Sequence, residues 1–129
     1  MRDEVEFFDE LNEPDVVCWR RLDDPTSRLE LDRLSEWIAW VTQRYQLDYK
    51  VIPDCWAQHG ALVEELSALR SLWEGCFQPE SALSEPVAFH RELDAALRRL
   101  REWNSRSGCT RTVHRDVQLI NSGTEVPSR

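Results

Sequence analysis

Asp54-Cys55-Trp56-Ala57-Gln58-His59-Gly60-Ala61-Leu62-Val63-Glu64-Glu65-Leu66, continuing to Phe77, is the stretch whose reading decides the fold. Trp56, His59, Leu62, Val63, Leu66, Leu69, Trp73, Cys76 and Phe77 recur at three- and four-residue steps, which lays one apolar stripe along a helix. Asp54, following Pro53, can cap the free amides of the first turn. A helix over 54–77 makes about six turns, so Cys55 and Phe77 stand roughly 33 Å apart and mark opposite ends of a domain.

The flanking segments repeat the pattern. Upstream, Thr26-Ser27 can open a helix that runs to Tyr45, with Leu34, Trp37, Ile38, Val41 and Tyr45 on one stripe and Leu31 and Trp40 widening it. Residues 46–52 break the period and end at Pro53, which predicts a connection packing Ile52 inward. Downstream, Ser84-Glu85-Pro86 is a start signal, because proline in a first turn lacks only an amide hydrogen that would be unused. Phe89, His90, Leu93, Ala96, Leu97, Leu100 and Trp103 form the third stripe, and Gly108 marks its stop.

Three amphipathic helices with short connections predict an all-α fold, a three-helix antiparallel bundle over 27–108. Residues 1–26 are an acidic leader punctuated by Pro14 and Pro25 and are expected to be partly disordered; residues 109–129 form a polar, aperiodic tail. In an up-down-up arrangement the end of the third helix returns to the start of the second. Cys55, His59, Cys109 and His114 are thereby expected at one pole, with Cys76 and His90 at the other.

Thiolate with imidazole is a common zinc ligand mixture, and four such groups can close a tetrahedral site. The chain has no close Cys-x-x-Cys pair, which is a stronger zinc signature. Two readings of the quartet therefore stand: structural zinc ligands, or a small buried thiol beside a hydrogen-bonded stripe histidine, with Cys109 and His114 as incidental tail residues. A nucleophilic Cys55 activated by His59 is the weaker chemistry, since the sequence offers neither an orienting residue nor a glycine-rich oxyanion turn. The chain reads as a non-enzyme without an obligatory cofactor, zinc being the alternative.

Composition narrows the partners. The 129 residues carry a net charge of -8, and nine acids against three arginines in residues 1–26 hold most of it. Phosphate binding usually needs a clustered basic face, so nucleic acid is not the expected partner, and Arg98, Arg99 and Arg101 read as a solvated face. No stretch approaches the roughly 20 apolar residues that span a bilayer. Together with four cysteines suited to a reducing compartment, this predicts a cytoplasmic protein. Of six tryptophans, Trp37, Trp56, Trp73 and Trp103 lie on the stripes, whereas Trp40 lies off-centre. Trp40, with Trp19 and Tyr49, is the candidate protein-binding patch, the alternative being that Trp19 staples the core and Trp40 packs beneath the leader.

Trp56-x-x-His59, Leu66-x-x-Leu69-x-x-x-Trp73-Glu74, Ser84, His90, Leu97, Cys109 and His114 together resemble an uncharacterised small domain family of actinobacteria found on phages, plasmids and conjugative elements. The resemblance covers about residues 34–114. Family members often have Pro where this chain has Gly60, and Gly-Pro-Phe before the cysteine where it has Ser107-Gly108. The resemblance implies a mobile-element or host-interaction setting and supplies no activity. The expected function is an intracellular protein–protein interaction module, with a zinc-binding helical module as the alternative.

Overall fold

The computed structural model describes residues 15–109 and 113–115, and among them it is all helical, with three α-helices and no strand. Helix α1 spans Asp24–Arg44, α2 spans Gly60–Cys76 and α3 spans Glu85–Ser107. Short 3-10 turns at Trp19–Arg21 and Trp56–Gln58 precede α1 and α2. None of these helices is long and apolar enough to cross a membrane. Of the leader 1–26, expected to be partly disordered, residues 15–26 carry the Trp19–Arg21 turn and the start of α1, while residues 1–14, like most of the expected polar tail (110–112 and 116–129), lie outside the described residues.

Helix α1 begins earlier than the Thr26-Ser27 signal suggests. Asp23 is its cap, accepting the Thr26 amide at 2.9 Å, and Pro25 sits in the first turn, where it rigidifies the helix start. Its buried stripe is Leu34, Trp37, Ile38 and Val41, as the spacing predicts. The helix ends at Gln46 in a left-handed conformation (φ 56), with the Leu47 amide reaching back to the Thr42 carbonyl at 2.9 Å. That closure is usually given to glycine, because a side chain crowds the left-handed backbone.

Helices α2 and α3 run antiparallel. Glu65, near the start of α2, accepts the Arg99 Nε at 3.0 Å on both carboxylate oxygens and the Trp103 indole at 3.4 Å, both donors lying toward the end of α3. Helix α1 packs against the C-terminal half of α2: Trp37 and Trp40 meet Trp73, and Arg70 bridges Glu30 and Glu74. The end of α1 reaches the start of α3, where Tyr45 lies edge-on to Phe89.

The core joins all three helices through Leu34, Val41, Leu62, Leu66, Phe89 and Leu100, each essentially inaccessible. Val51 and Ile52 fill it from the connection, fulfilling the inward packing expected there. Two residues depart from their stripes. His90 is exposed and hydrogen bonds Tyr45 at 3.0 Å, while Asn104 takes the buried position one turn beyond Leu100. Asn104 Nδ2 donates to the carbonyls of Tyr49 and Lys50, both at 2.9 Å, and so clamps the irregular 46–53 connection to α3.

Candidate metal centre

Cys55 and His59 do not belong to one continuous helix. The chain makes a 3-10 turn, with the amides of Trp56, Gln58 and His59 bonding the carbonyls of Pro53, Cys55 and Trp56. The α-helix starts only at Gly60, and His59 is its N-cap residue. An apolar stripe cannot distinguish these windings over a single turn, since one turn holds too few residues for periods of 3.0 and 3.6 to separate. Both side chains meet residues that follow the end of α3, Cys55 through Cys109 and His59 through Cys109 and His114.

The other half of the site follows from the stop of α3. Gly108 adopts the left-handed conformation (φ 77) and turns the chain back, so Cys109 arrives beside Cys55 across 54 residues of sequence. Val113 to Arg115 then return His114 to the same point. The four candidate donor atoms lie within 4.8 Å of one another, with His59 buried and the other three half-buried.

Their separations are specific. Cys55 Sγ stands 3.5 Å from both His59 Nε2 and Cys109 Sγ. Cys109 Sγ is 3.4 Å from His59 Nε2 and 3.5 Å from His114 Nδ1, and the two imidazole nitrogens are 3.2 Å apart. Around a tetrahedral zinc with ordinary bond lengths, sulfur–sulfur, sulfur–nitrogen and nitrogen–nitrogen separations are about 3.8, 3.6 and 3.4 Å. Five of the six pairs thus agree with a tetrahedral shell to about 0.3 Å. The sulfurs are too far apart for a disulfide, whose bond is about 2.05 Å, and all four cysteines are free.

The surroundings prepare one sulfur for ionisation. The Arg115 amide donates to Cys109 Sγ at 3.1 Å, and the Cys109 amide donates to Ser107 Oγ at 3.2 Å. Ser107 Oγ is itself held by donating to the Asn104 carbonyl at 2.8 Å. Burial alone pushes the Cys109 thiol up, but its hydrogen bonds with Ser107, the Arg115 backbone, Cys55 and His59 outweigh this and bring it down to about 6. Cys55 moves the other way, to about 11, through burial and then the hydrogen bond and negative charge of Cys109. A divalent cation held by Cys55 and Cys109 would offset that mutual repulsion, since thiolates are the form that binds metal.

The proposed aromatic trio does not share one patch. Trp19 is half-buried against the core with its indole N–H buried, which is the stapling alternative. Trp40 is 41% exposed and packs on Trp73 near the end of α2, whereas Tyr49 is clamped to Asn104 near the end of α3. The antiparallel α2/α3 pair sets these at opposite ends of the bundle. Sequence reasoning missed that Phe77 stacks on Trp73, the ring on which Trp40 packs, and that Leu72 and Phe77 are both about as exposed as Trp40. The missed signal is their place at the edge of the α2 stripe, where width exceeds what two packed neighbours can cover.

Comparisons with protein-family models, with curated proteins and with solved structures found no match to this chain.

Proposed function

We propose that this chain is a structural zinc-binding helical module that works by binding another protein. The observation that carries the metal reading is the convergence of Cys55 Sγ, His59 Nε2, Cys109 Sγ and His114 Nδ1 within 4.8 Å, five of their six separations being close to those of a tetrahedral shell. The donor set fits zinc on chemical grounds as well, because two thiolates balance the ion's charge and imidazole suits the same borderline metal. Four protein ligands leave no position for water or substrate, so such a site fastens the chain around 109–115 to the 3-10 turn rather than performing a reaction. The non-enzyme reading rests on that closure.

The binding surface in this reading is the aromatic ridge of Trp40, Trp73 and Phe77, with Leu72 beside it. Trp73 is fixed between Trp40 at 5.1 Å and Phe77 at 5.6 Å, and a rigid aromatic cluster loses little entropy when a partner covers it. A reducing cytoplasm, which keeps thiols available to metal, is the compartment this function requires. The partner class is a protein of a mobile-element or conjugation apparatus, on the strength of the family resemblance alone.

Metal analysis of protein purified without a polyhistidine tag tests the reading. One equivalent of zinc per chain, lost on chelation together with order at His114, is the expected result. Well under one equivalent, with a fold indifferent to chelator, would overturn it.

A further inference from the structure

Beside the metal centre lies a cavity of about 440 Å³ whose walls include Lys50, Arg101, Asn104 and Ser105, with Gly108 and Cys109 at the metal side. Among the described residues no carboxylate lines it, although the chain carries 24 acids against 16 basic residues. Asp48, two residues before Lys50, uses Oδ1 to accept the Lys50 amide at 3.1 Å.

Three of the four other arginines on α3 are paired, Arg91 being the exception among the described residues. Arg98, Arg99 and Arg106 each face a carboxylate, respectively Asp94, Glu65 and Glu102. Neither Arg101 nor Lys50 has an ion-pair partner among the described residues. A third cation joins them: Arg115 Nη1 lies 3.5 Å from where a Cβ on Gly108 would stand, so its guanidinium covers the glycine that lines the cavity. Asn104 forms part of the wall, its Nδ2 held by the Tyr49 and Lys50 carbonyls and its buried Oδ1 without a donor among the described residues.

Lys50 and Arg101 on the lining, with Arg115 over Gly108 at its edge, favour a dianion over a monoanion, and a phosphate monoester carries close to two negative charges at neutral pH. Arginine's planar fork matches phosphate oxygens, and the Ser105 hydroxyl can donate to a further one. The volume lies in the range of small-molecule sites and exceeds what a bare phosphate fills. We propose that this cavity binds a small phosphomonoester whose organic part fills the volume the phosphate leaves. Lys50 and Arg101 belong to the bundle itself, whereas the Arg115 contribution rests on the zinc reading, because the metal is what holds the chain at 113–115 against Gly108.

Amide chemical shifts of the full chain, titrated with glycerol 3-phosphate, test this. The expected result is saturable shifts confined to the amides around Lys50, Arg101, Ser105 and Gly108. Lys50→Gln and Arg101→Gln should each weaken binding about tenfold, the loss of one charged hydrogen bond. Arg98→Gln removes the same charge from the same helix and should leave binding unchanged. Shifts that do not saturate, an equal loss in Arg98→Gln, or acetate binding as tightly would overturn the proposal. Tighter saturation of the same amides by a short single-stranded DNA would assign a polymer instead and overturn it too.

The two readings fail separately. If the chain holds no zinc, the Lys50 and Arg101 dependence still stands or falls by itself; if it holds zinc, Arg115→Gln and chelation should each weaken glycerol 3-phosphate binding while Arg98→Gln does not.

Discussion

Cys55 Sγ and Cys109 Sγ stand 3.5 Å apart, although one follows the connection into α2 and the other follows the end of α3. The antiparallel pairing of α2 and α3 makes that meeting possible, and the left-handed turn at Gly108 completes it.

Loss of one ligand should separate metal affinity from folding. The core residues of the bundle pack without the quartet, so Cys109→Ser or His114→Ala is expected to keep the helical circular dichroism of the parent. Zinc affinity, read by competition with a chromophoric chelator, should fall at least about a hundredfold, more than the loss of an outer-shell partner typically costs. Hydrogen exchange at 113–115 should rise to solvent-exposed rates. Unchanged affinity in His114→Ala would remove that residue from the site.

Metal loading should release about one proton per ion near pH 8. Only thiolates bind, and at that pH Cys109, lowered to about 6, is already ionised while Cys55, raised to about 11, still carries its proton. Affinity should therefore weaken by about tenfold per unit as pH falls from 8 toward 6, and more steeply below, where Cys109 also takes up a proton. Calorimetry in buffers of different ionisation enthalpy counts the protons directly; two released at pH 8 would contradict this assignment.

Asn104→Leu should be costly despite its apolar surroundings. It leaves the Tyr49 and Lys50 carbonyls without their donor, and an unsatisfied buried polar group costs about 1–3 kcal/mol. The loss should appear as a lower urea midpoint with an unchanged slope, because the surface exposed on unfolding is the same.

Gln46→Gly should stabilise the bundle by up to about 1 kcal/mol, since glycine removes the crowding of a left-handed residue at some cost in unfolded-chain entropy. A raised Tm with no change in zinc content is the expected outcome. A fall in Tm would show that the Gln46 side chain contributes something its exposure does not suggest.

The helices were legible because each stripe has the period of its element: Leu34, Trp37, Ile38 and Val41 are buried as their spacing requires, and so are Leu62, Leu66 and Leu69. The pole that gathers Cys55, His59, Cys109 and His114 was legible too, since it follows from chain direction alone. The 3-10 winding at Trp56–Gln58 was not, because one turn carries too few residues to fix a period. Nor was Asn104 at a core position, where the gain comes from two backbone carbonyls of a distant, aperiodic segment. The misplaced grouping of Tyr49 with Trp40 has a similar origin: the connection after α1 carries Tyr49 along α3, and nothing local to either residue encodes that path.

The first described residues bear on where this polypeptide can be shortened. Ser71 Oγ donates to the Asp15 carbonyl at 2.6 Å, Trp19 packs on the core, and Asp23 caps α1. A chain begun at residue 27, where composition suggests a natural border, would lack all three and would start inside the first turn of a helix. Weakened folding of such a fragment would report severed anchors rather than any need for the acidic sequence before them. A start at residue 15 keeps every one of those contacts, and only comparison with that version isolates what the remaining fourteen residues do.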